Sequence, residues 1–402
     1  MAPLCADSRF HSTGLKCVVL LLAAPLLVFA ASGCRSSRNA NEILVGQYGS
    51  LTGDQATFGQ STDSGIRLAV DEINAAGGVN GKKIHLITYD DKGDPREAAT
   101  SVTRLITNDG VVAVLGEVAS KLSLEGAPIC QKYGVPMITP SSTNPKVTEV
   151  GDMIFRVCFI DPFQGFVCAK FARDNLKAET AAILYDQSQT YSVGLQDEFE
   201  KSFLKLGGKI TTKQAYQKGE QDFNAQLTAI RASKPDVVFI PGYYNDVGTI
   251  AVQARKLGIT VPLLGGDGWE SPKLAEIAGD AINGCYYSNH YSPQDPSPRV
   301  QNFIKKYKEQ YHATPDSMAA LAYDATYVLK DAIGRANSLS GAAIAEQIAK
   351  TKDFDGVTGK ITIDDHRNAV KPAVILEMKN GEATYVTTIK PESREQGAGG
   401  RE

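Results

Sequence analysis

Residues 42–115 read EILVGQYGSLTGDQATFGQSTDSGIRLAVDEINAAGGVNGKKIHLITYDDKGDPREAATSVTRLITNDGVVAVL. Ile43 to Tyr48 is a short β-type run. After a polar, glycine-rich turn, Ile66, Ala69, Val70 and Ile73 recur at helical spacing, which predicts a helix over Ser64 to Ala76. Gly77-Gly78 ends it, because glycine takes a left-handed cap at little cost. Ile84 to Tyr89 reads as a second strand. Asp94-Pro95 opens a second helix with Ala98, Val102, Leu105 and Ile106 on one face, and Val111 to Leu115 is a fully apolar third strand. Strand, helix, strand, helix, strand in this order implies right-handed crossovers and a parallel sheet.

The same alternation restarts downstream. Ala181–Tyr185, Lys209–Ala215, Val237–Ile240 and Val261–Leu264 read as strands; Val193–Leu206, Phe223–Ala232 and Val247–Leu257 read as helices. The fold class is therefore α/β, in two lobes of similar design. Ligands of such sheets lie beyond the carboxyl ends of the strands. That directs attention to Tyr48–Gly59, Gly116–Ser120, Thr139–Asn144, Asp186–Tyr191, Gly242-Tyr243-Tyr244 and Gly265–Trp269.

Upstream, Cys17 to Ala31 is an uninterrupted apolar run, preceded by Arg9 and Lys16 and followed by Ser32-Gly33-Cys34. It is short for a spanning helix, which needs about 20 residues, and Pro25 sits in its middle. Positive residues, a short apolar stretch and then small residues describe an export signal. Ala31-Ser32-Gly33-Cys34 resembles a bacterial lipobox. That makes residues 1–33 a lipoprotein signal peptide, Cys34 the lipidated residue and 34–41 a tether. Four thiols then remain, Cys130, Cys158, Cys168 and Cys285, either paired or free; none has zinc-site spacing.

The 402 residues carry 42 basic and 45 acidic side chains, a net charge of −3, which offers no basic footprint for nucleic acid. No G-x-G-x-x-G loop follows the first strand, and no phosphate-binding loop, H-E-x-x-H helix or G-x-S-x-G elbow occurs. Asp90, Asp91 and Asp94 fall at a strand end before a helix, where turn and cap roles are expected rather than a metal. No cofactor, no metal and no enzymatic activity are expected.

The strand-end loops hold hydroxyls, glycines and aromatics. Ser120, Ser141, Ser142 and Thr143 supply hydroxyl and backbone N–H donors suited to a carboxylate, which exposed amides at helix starts also favour. Asp267, in Gly265-Gly266-Asp267-Gly268, is a carboxylate on a glycine turn, suited to an ammonium or to a local Asx turn. Phe58, Tyr191 and Tyr243 add flat apolar walls with, for the tyrosines, polar tips. Donors for an anion, a carboxylate for a cation and aromatic walls fit a free amino acid.

Val45–Gly59 (VGQYGSLTGDQATFG), Leu68–Gly78 (LAVDEINAAGG), Asn80-Gly81, Tyr89–Pro95 (YDDKGDP), Thr139–Pro145 (TPSSTNP) and Gly242-Tyr243-Tyr244 together resemble the periplasmic leucine/isoleucine/valine-binding proteins. These are the substrate-binding subunits of branched-chain amino acid ABC importers, with the type I two-lobed fold. The resemblance covers nearly all of Glu42 to about Pro391. It implies that Ser120, Ser141 (through its backbone) and Thr143 hold the ligand head group, that Asp267 meets the ammonium and that Tyr243 is a further head-group contact. Phe58 and Tyr191 match aromatic walls on opposite lobes. The family's early disulfide positions are Lys92 and Ala119 here, so that bridge is absent. Met318 stands where an aromatic is common, which softens the side-chain pocket.

The resemblance also implies a three-crossing hinge near Ile160-Asp161, Asn289-His290 and Gly359. Lobe 1 is then 42–160 plus 291–358, lobe 2 is 161–290 plus 359–391, and 392–402 is a flexible tail. The expected protein is an exported, lipid-anchored monomer that passes a Leu, Ile or Val ligand to a membrane permease. The alternatives are the same fold binding another amino acid, an amide or an aromatic carboxylate, or acting as a ligand-sensing module.

Overall fold

The first sheet is organised around β1 (Glu42–Gly49), buried without interruption from Val45 to Gly49 as a strand covered on both faces must be. In this computed structural model, which describes residues 41–391, β1 is flanked by β2 (Lys83–Asp90) and β3 (Ala113–Leu115). Beyond β3 come β4 (Met137–Thr139) and β5 (Ile154–Arg156). The order is β2-β1-β3-β4-β5, all parallel. The expected signal peptide, Cys34, residues 34–40 of the expected tether and the expected tail 392–402 lie outside the described residues.

The second sheet repeats that order five strands later. Its parallel part is β7 (Lys209–Tyr216), β6 (Thr180–Asp186), β8 (Val237–Phe239), β9 (Leu263–Gly265) and β10 (Cys285–Asn289), in that spatial sequence. The repeated alternation in the sequence is thus a repeated topology. After β10 the chain returns to the first lobe, where the helix Ser317–Arg335 packs along the helix Ala56–Ala75. A small antiparallel sheet follows, made of β11 (Phe354–Gly356), β12 (Gly359–Ile363) and β13 (Ala369–Val370). Ile361, Ile363 and Ala369 join Ile43, Val45 and Phe155 in one apolar core, so this segment packs with the first sheet. The chain then adds the antiparallel pair β14 (Ala373–Lys379) and β15 (Glu382–Ile389) to the edge of the second sheet beside β10.

One boundary differs from expectation in a way that matters to the site. The helix expected from Ser64 begins at Ala56, so Phe58 is helical. The glycine and hydroxyl residues from Thr57 to Ser64 suggest a loop by composition. Gly59 serves close packing instead: a Cβ there would lie 2.2 Å from the carbonyl oxygen of Ser50. The acidic cluster takes turn and cap roles. Asp94 accepts from the N–H groups of Arg96 and Glu97, and Asp90 from those of Leu51 and Lys92. Cys130, Cys158, Cys168 and Cys285 are buried free thiols.

Candidate functional site

Both lobes build the cleft from equivalent strand ends. In the first lobe, the segments after β1, β3 and β4 carry Phe58, Ser120, and Ser141 with Thr143. In the second, those after β6, β8 and β9 carry Tyr191, Tyr243 and Asp267. Phe58, Val118, Ser141, Tyr191, Tyr243, Asp267, Gly268 and Met318 line one small cavity. None of the side-chain-bearing members is more than 7% exposed, so the space is closed to bulk water and a peptide chain has no exit from it. The lobes are shut over it: the Tyr244 hydroxyl donates to the Asp54 carbonyl at 2.8 Å, and the Thr57 and Ser271 hydroxyls meet at 3.0 Å. Phe58 packs edge-on to Tyr243 and Tyr244 across the same junction.

The site is rich in unsatisfied donors. Ser120 opens the helix Ser120–Tyr133, where the Ala119 carbonyl accepts from the Leu122 and Ser123 N–H groups and leaves those of Ser120 and Lys121 as the helix-start donors. The Ser120 hydroxyl accepts from the Asn144 N–H at 3.3 Å, which leaves its own proton to donate. The hydroxyls of Ser141, Thr143 and Tyr243 are buried without a protein partner. Buried polar groups are almost always paired, and two of these orphans, Ser141 and Tyr243, line the same cavity, which points to a ligand. Ser142 is different. Its hydroxyl is engaged with the carbonyls of Glu117 and Val118 and with Ser123, tying the loop after β4 to that after β3.

The same cavity holds Asp267, almost completely buried. It is not in an Asx turn: Gln164 Nε2 and the Tyr191 hydroxyl donate to Oδ1 at 2.8 and 2.9 Å, and His290 Nε2 lies 3.0 Å from Oδ2. Tyr191 is therefore more than a wall. Its hydroxyl also accepts from the Gly268 N–H, and its ring stacks on Tyr243 at 5.2 Å. Gly265 and Gly266 keep this turn tight, since a Cβ on either would collide with Trp269 or the Tyr191 hydroxyl.

The family profile described as periplasmic binding protein matches residues 42–383. The chain belongs to the periplasmic binding protein family. A leucine-binding protein of Thermotoga maritima is 40% identical, with a TM-score of 0.84 over 87% of this chain and 99% of its own. The branched-chain amino acid transporter substrate-binding protein of Streptococcus pneumoniae, solved in complex with isoleucine, is 34% identical with a TM-score of 0.83 over 87% of this chain and all of its own. The Leu/Ile/Val-binding protein homolog 2 of Brucella abortus is 34% identical over 345 residues, covering 85% of this chain and 91% of that one. These relatives share the type I two-lobed fold, and the family is one of solute-binding proteins rather than enzymes.

Several residues that hold this periplasmic-binding-protein site in place escape sequence reasoning. Arg156, wholly buried, donates to the carbonyls of Ser142, Asn144 and Pro145 and clamps the loop that carries Thr143. Its signal is a lone charge inside the apolar run Ile154–Phe159. The Ser50 hydroxyl lies 2.9 Å from Asp91 and 3.0 Å from Glu117, pinning the segment before Phe58 to the one before Ser120. Burial pushes the Glu117 carboxyl up to about 8, with Asp91 adding to the rise. Asp161 is buried with both carboxyl oxygens unpartnered, beside a wider recess between Pro145-Lys146 and Ser188–Gly194. Burial pushes it up to about 7, and Asp267 adds to the rise. Gln164 and His290 are far from Asp267 in sequence, and nothing in their local pattern marks them.

Proposed function

We propose that this protein captures a free branched-chain amino acid in the interlobe cavity and delivers it to the membrane subunits of an ABC importer. The observation that carries this reading is the chemistry of the lining of one closed cavity. It combines the orphaned hydroxyls of Ser141 and Tyr243, the buried carboxylate of Asp267 and the apolar surfaces of Phe58, Val118, Tyr191 and Met318. A zwitterion with an aliphatic side chain pairs every part of that surface. In this reading Ser120, Ser141 and Thr143 take the ligand carboxylate, Asp267 the ammonium and Tyr243 a further head-group bond. Phe58, Tyr191 and Met318 flank the side chain. The relatives named for leucine or solved with isoleucine support the same ligand class.

The lobes would close on the ligand about three crossings. Because Ile361, Ile363 and Ala369 pack in the first core, we place the third crossing at about Lys371 rather than Gly359. Lobe 1 is then 42–160 with 291–370, and lobe 2 is 161–290 with 371–391. Export as a lipoprotein anchored through Cys34 is part of the same proposal and accords with the leader. The protein would act as a monomer, its closed lobes presenting one face to the permease.

Titration calorimetry with leucine, isoleucine, valine, phenylalanine and 4-methylpentanoate tests the ligand class. The three branched-chain amino acids are expected to bind, and the deaminated 4-methylpentanoate at least about 100-fold more weakly, because it leaves a buried carboxylate uncompensated. Equal binding of leucine and 4-methylpentanoate would overturn the reading.

A further inference from the structure

His290 follows β10 directly, where the chain passes back toward the first lobe. Its ring is wholly buried and stacks on Phe159, centroids 3.8 Å apart and planes within 24°, and Phe159 lies just before the first crossing. The ring thus sits between two hinge strands, with Nε2 on Asp267 Oδ2. An ionised carboxylate only accepts, so the proton between them is on Nε2. The other ring nitrogen, Nδ1, is buried without a partner. In a neutral imidazole that position is a bare lone pair. In an imidazolium it would be a charged N–H with nothing to receive it, a much costlier burial.

We propose that His290 is a positioning residue for the ligand site: its neutral Nε2–H tautomer fixes Asp267 while leaving the carboxylate charge to an ammonium, so that the cavity selects zwitterions over bare carboxylates. The proposal rests on the amino-acid reading above. Asp267 and Lys371, on the third crossing, are the charged groups that act on the ring. The neighbouring thiols Cys158 and Cys168 are pushed up to about 12 by burial and carry no charge near neutral pH. Burial lowers the basicity of His290, Asp267 opposes that, and Lys371 adds to it. Protonating the ring would close an ion pair with Asp267 of no net charge. The ligand ammonium would then enter beside a neutral pair, and affinity would drop. A carboxylate without an amine would not be penalised.

The test uses the full chain and His290→Gln, which retains an N–H donor but does not titrate. Leucine affinity is measured by calorimetry from pH 4.5 to 8, and 4-methylpentanoate affinity from pH 6 to 8. Other buried carboxyls contribute to both proteins, so the readout is the difference in slope. Leucine affinity in the wild type should fall more steeply toward acid, by up to about tenfold per pH unit more than in the variant. At pH 6 and above, 4-methylpentanoate affinity should not fall toward acid more steeply in wild type than in variant. Nitrogen NMR of the wild-type imidazole should show the neutral Nε2–H tautomer at pH 7, protonating over the range where the leucine slopes diverge. Identical slopes, an Nδ1–H tautomer or an imidazolium at pH 7 would each overturn the role of His290. The NMR readout keeps the proposal open to refutation if the variant does not fold. Absence of any amino-acid binding by the wild type at pH 7.5 would instead overturn the ligand reading.

Discussion

Asp267 shows how a single side chain can be identified correctly for an incomplete reason. Its setting on a glycine turn at a strand end marks it as a carboxylate held at a cleft. What the sequence conceals is the cost of holding it there, which falls on Gln164, Tyr191 and His290. All three come from other elements, Gln164 and His290 through contacts that no local pattern announces. The same holds for Arg156, which looks anomalous in an apolar strand until the carbonyls of the neighbouring loop are seen around it. Ser142 errs in the opposite direction: hydroxyls in a row look alike in sequence, and only packing divides Ser141 and Thr143, which are unpartnered, from Ser142, which is saturated. Asp267→Asn keeps the shape of the residue and removes its charge. Losing the partner of a buried ammonium costs about 3–5 kcal/mol, so leucine affinity should fall roughly 10²- to 10⁴-fold. Calorimetry measures the loss and circular dichroism the retained fold. A fall of less than tenfold would mean that the ammonium is held elsewhere.

At the scale of elements, hydrophobic periodicity was sufficient for strands and helices with one apolar face, from β1 to the helix before β2 and again from β6 to β9. It was insufficient for helix starts at the cleft. The helices Ala56–Ala75 and Thr190–Lys205 both begin earlier than their apolar spacing suggests, because their first turns face the cavity and the partner lobe instead of a core. Gly59 carries the consequence for the first of these. The helix can lie against the segment after β1 only because no Cβ intervenes. Gly59→Ala should push the first helical turn away from Ser50, at an overpacking cost of about 1–3 kcal/mol, and shift Phe58, its neighbour in the cavity wall. Urea unfolding should show that loss of stability, and leucine affinity should fall with it. Gly77→Ala would be a poor control because Gly77 has a left-handed backbone, whereas Ala99→Ser, on the half-buried face of the helix Pro95–Arg104, alters neither the cleft nor the turn.

For the whole molecule, closing two lobes over a polar cavity removes several carboxyl groups from water at once. Asp91 is pushed up to about 6, Asp161, Asp246 and Glu270 to about 7, and Glu117 to about 8, with burial the leading cause in each case. Glu270 reaches between the lobes, accepting from Tyr287 and Asn289 on one side and from the Ser317 N–H on the other. In the unfolded chain such groups ionise near pH 4. Between there and pH 8 the folded protein therefore holds protons that the unfolded chain has released, and stability falls as pH rises. His290 acts in the other direction, since its basicity is lowered by folding, but only below its unfolded value near 6.5. Lys371, lowered to about 8 by burial, adds stability only as pH rises above that value. Five carboxyls outweigh one imidazole across the intervening range. The ligand-free thermal midpoint should accordingly decline from pH 5.5 to pH 8, as followed by calorimetry. A midpoint that is flat or rises over that interval would show that these carboxyls do not hold protons in the folded protein.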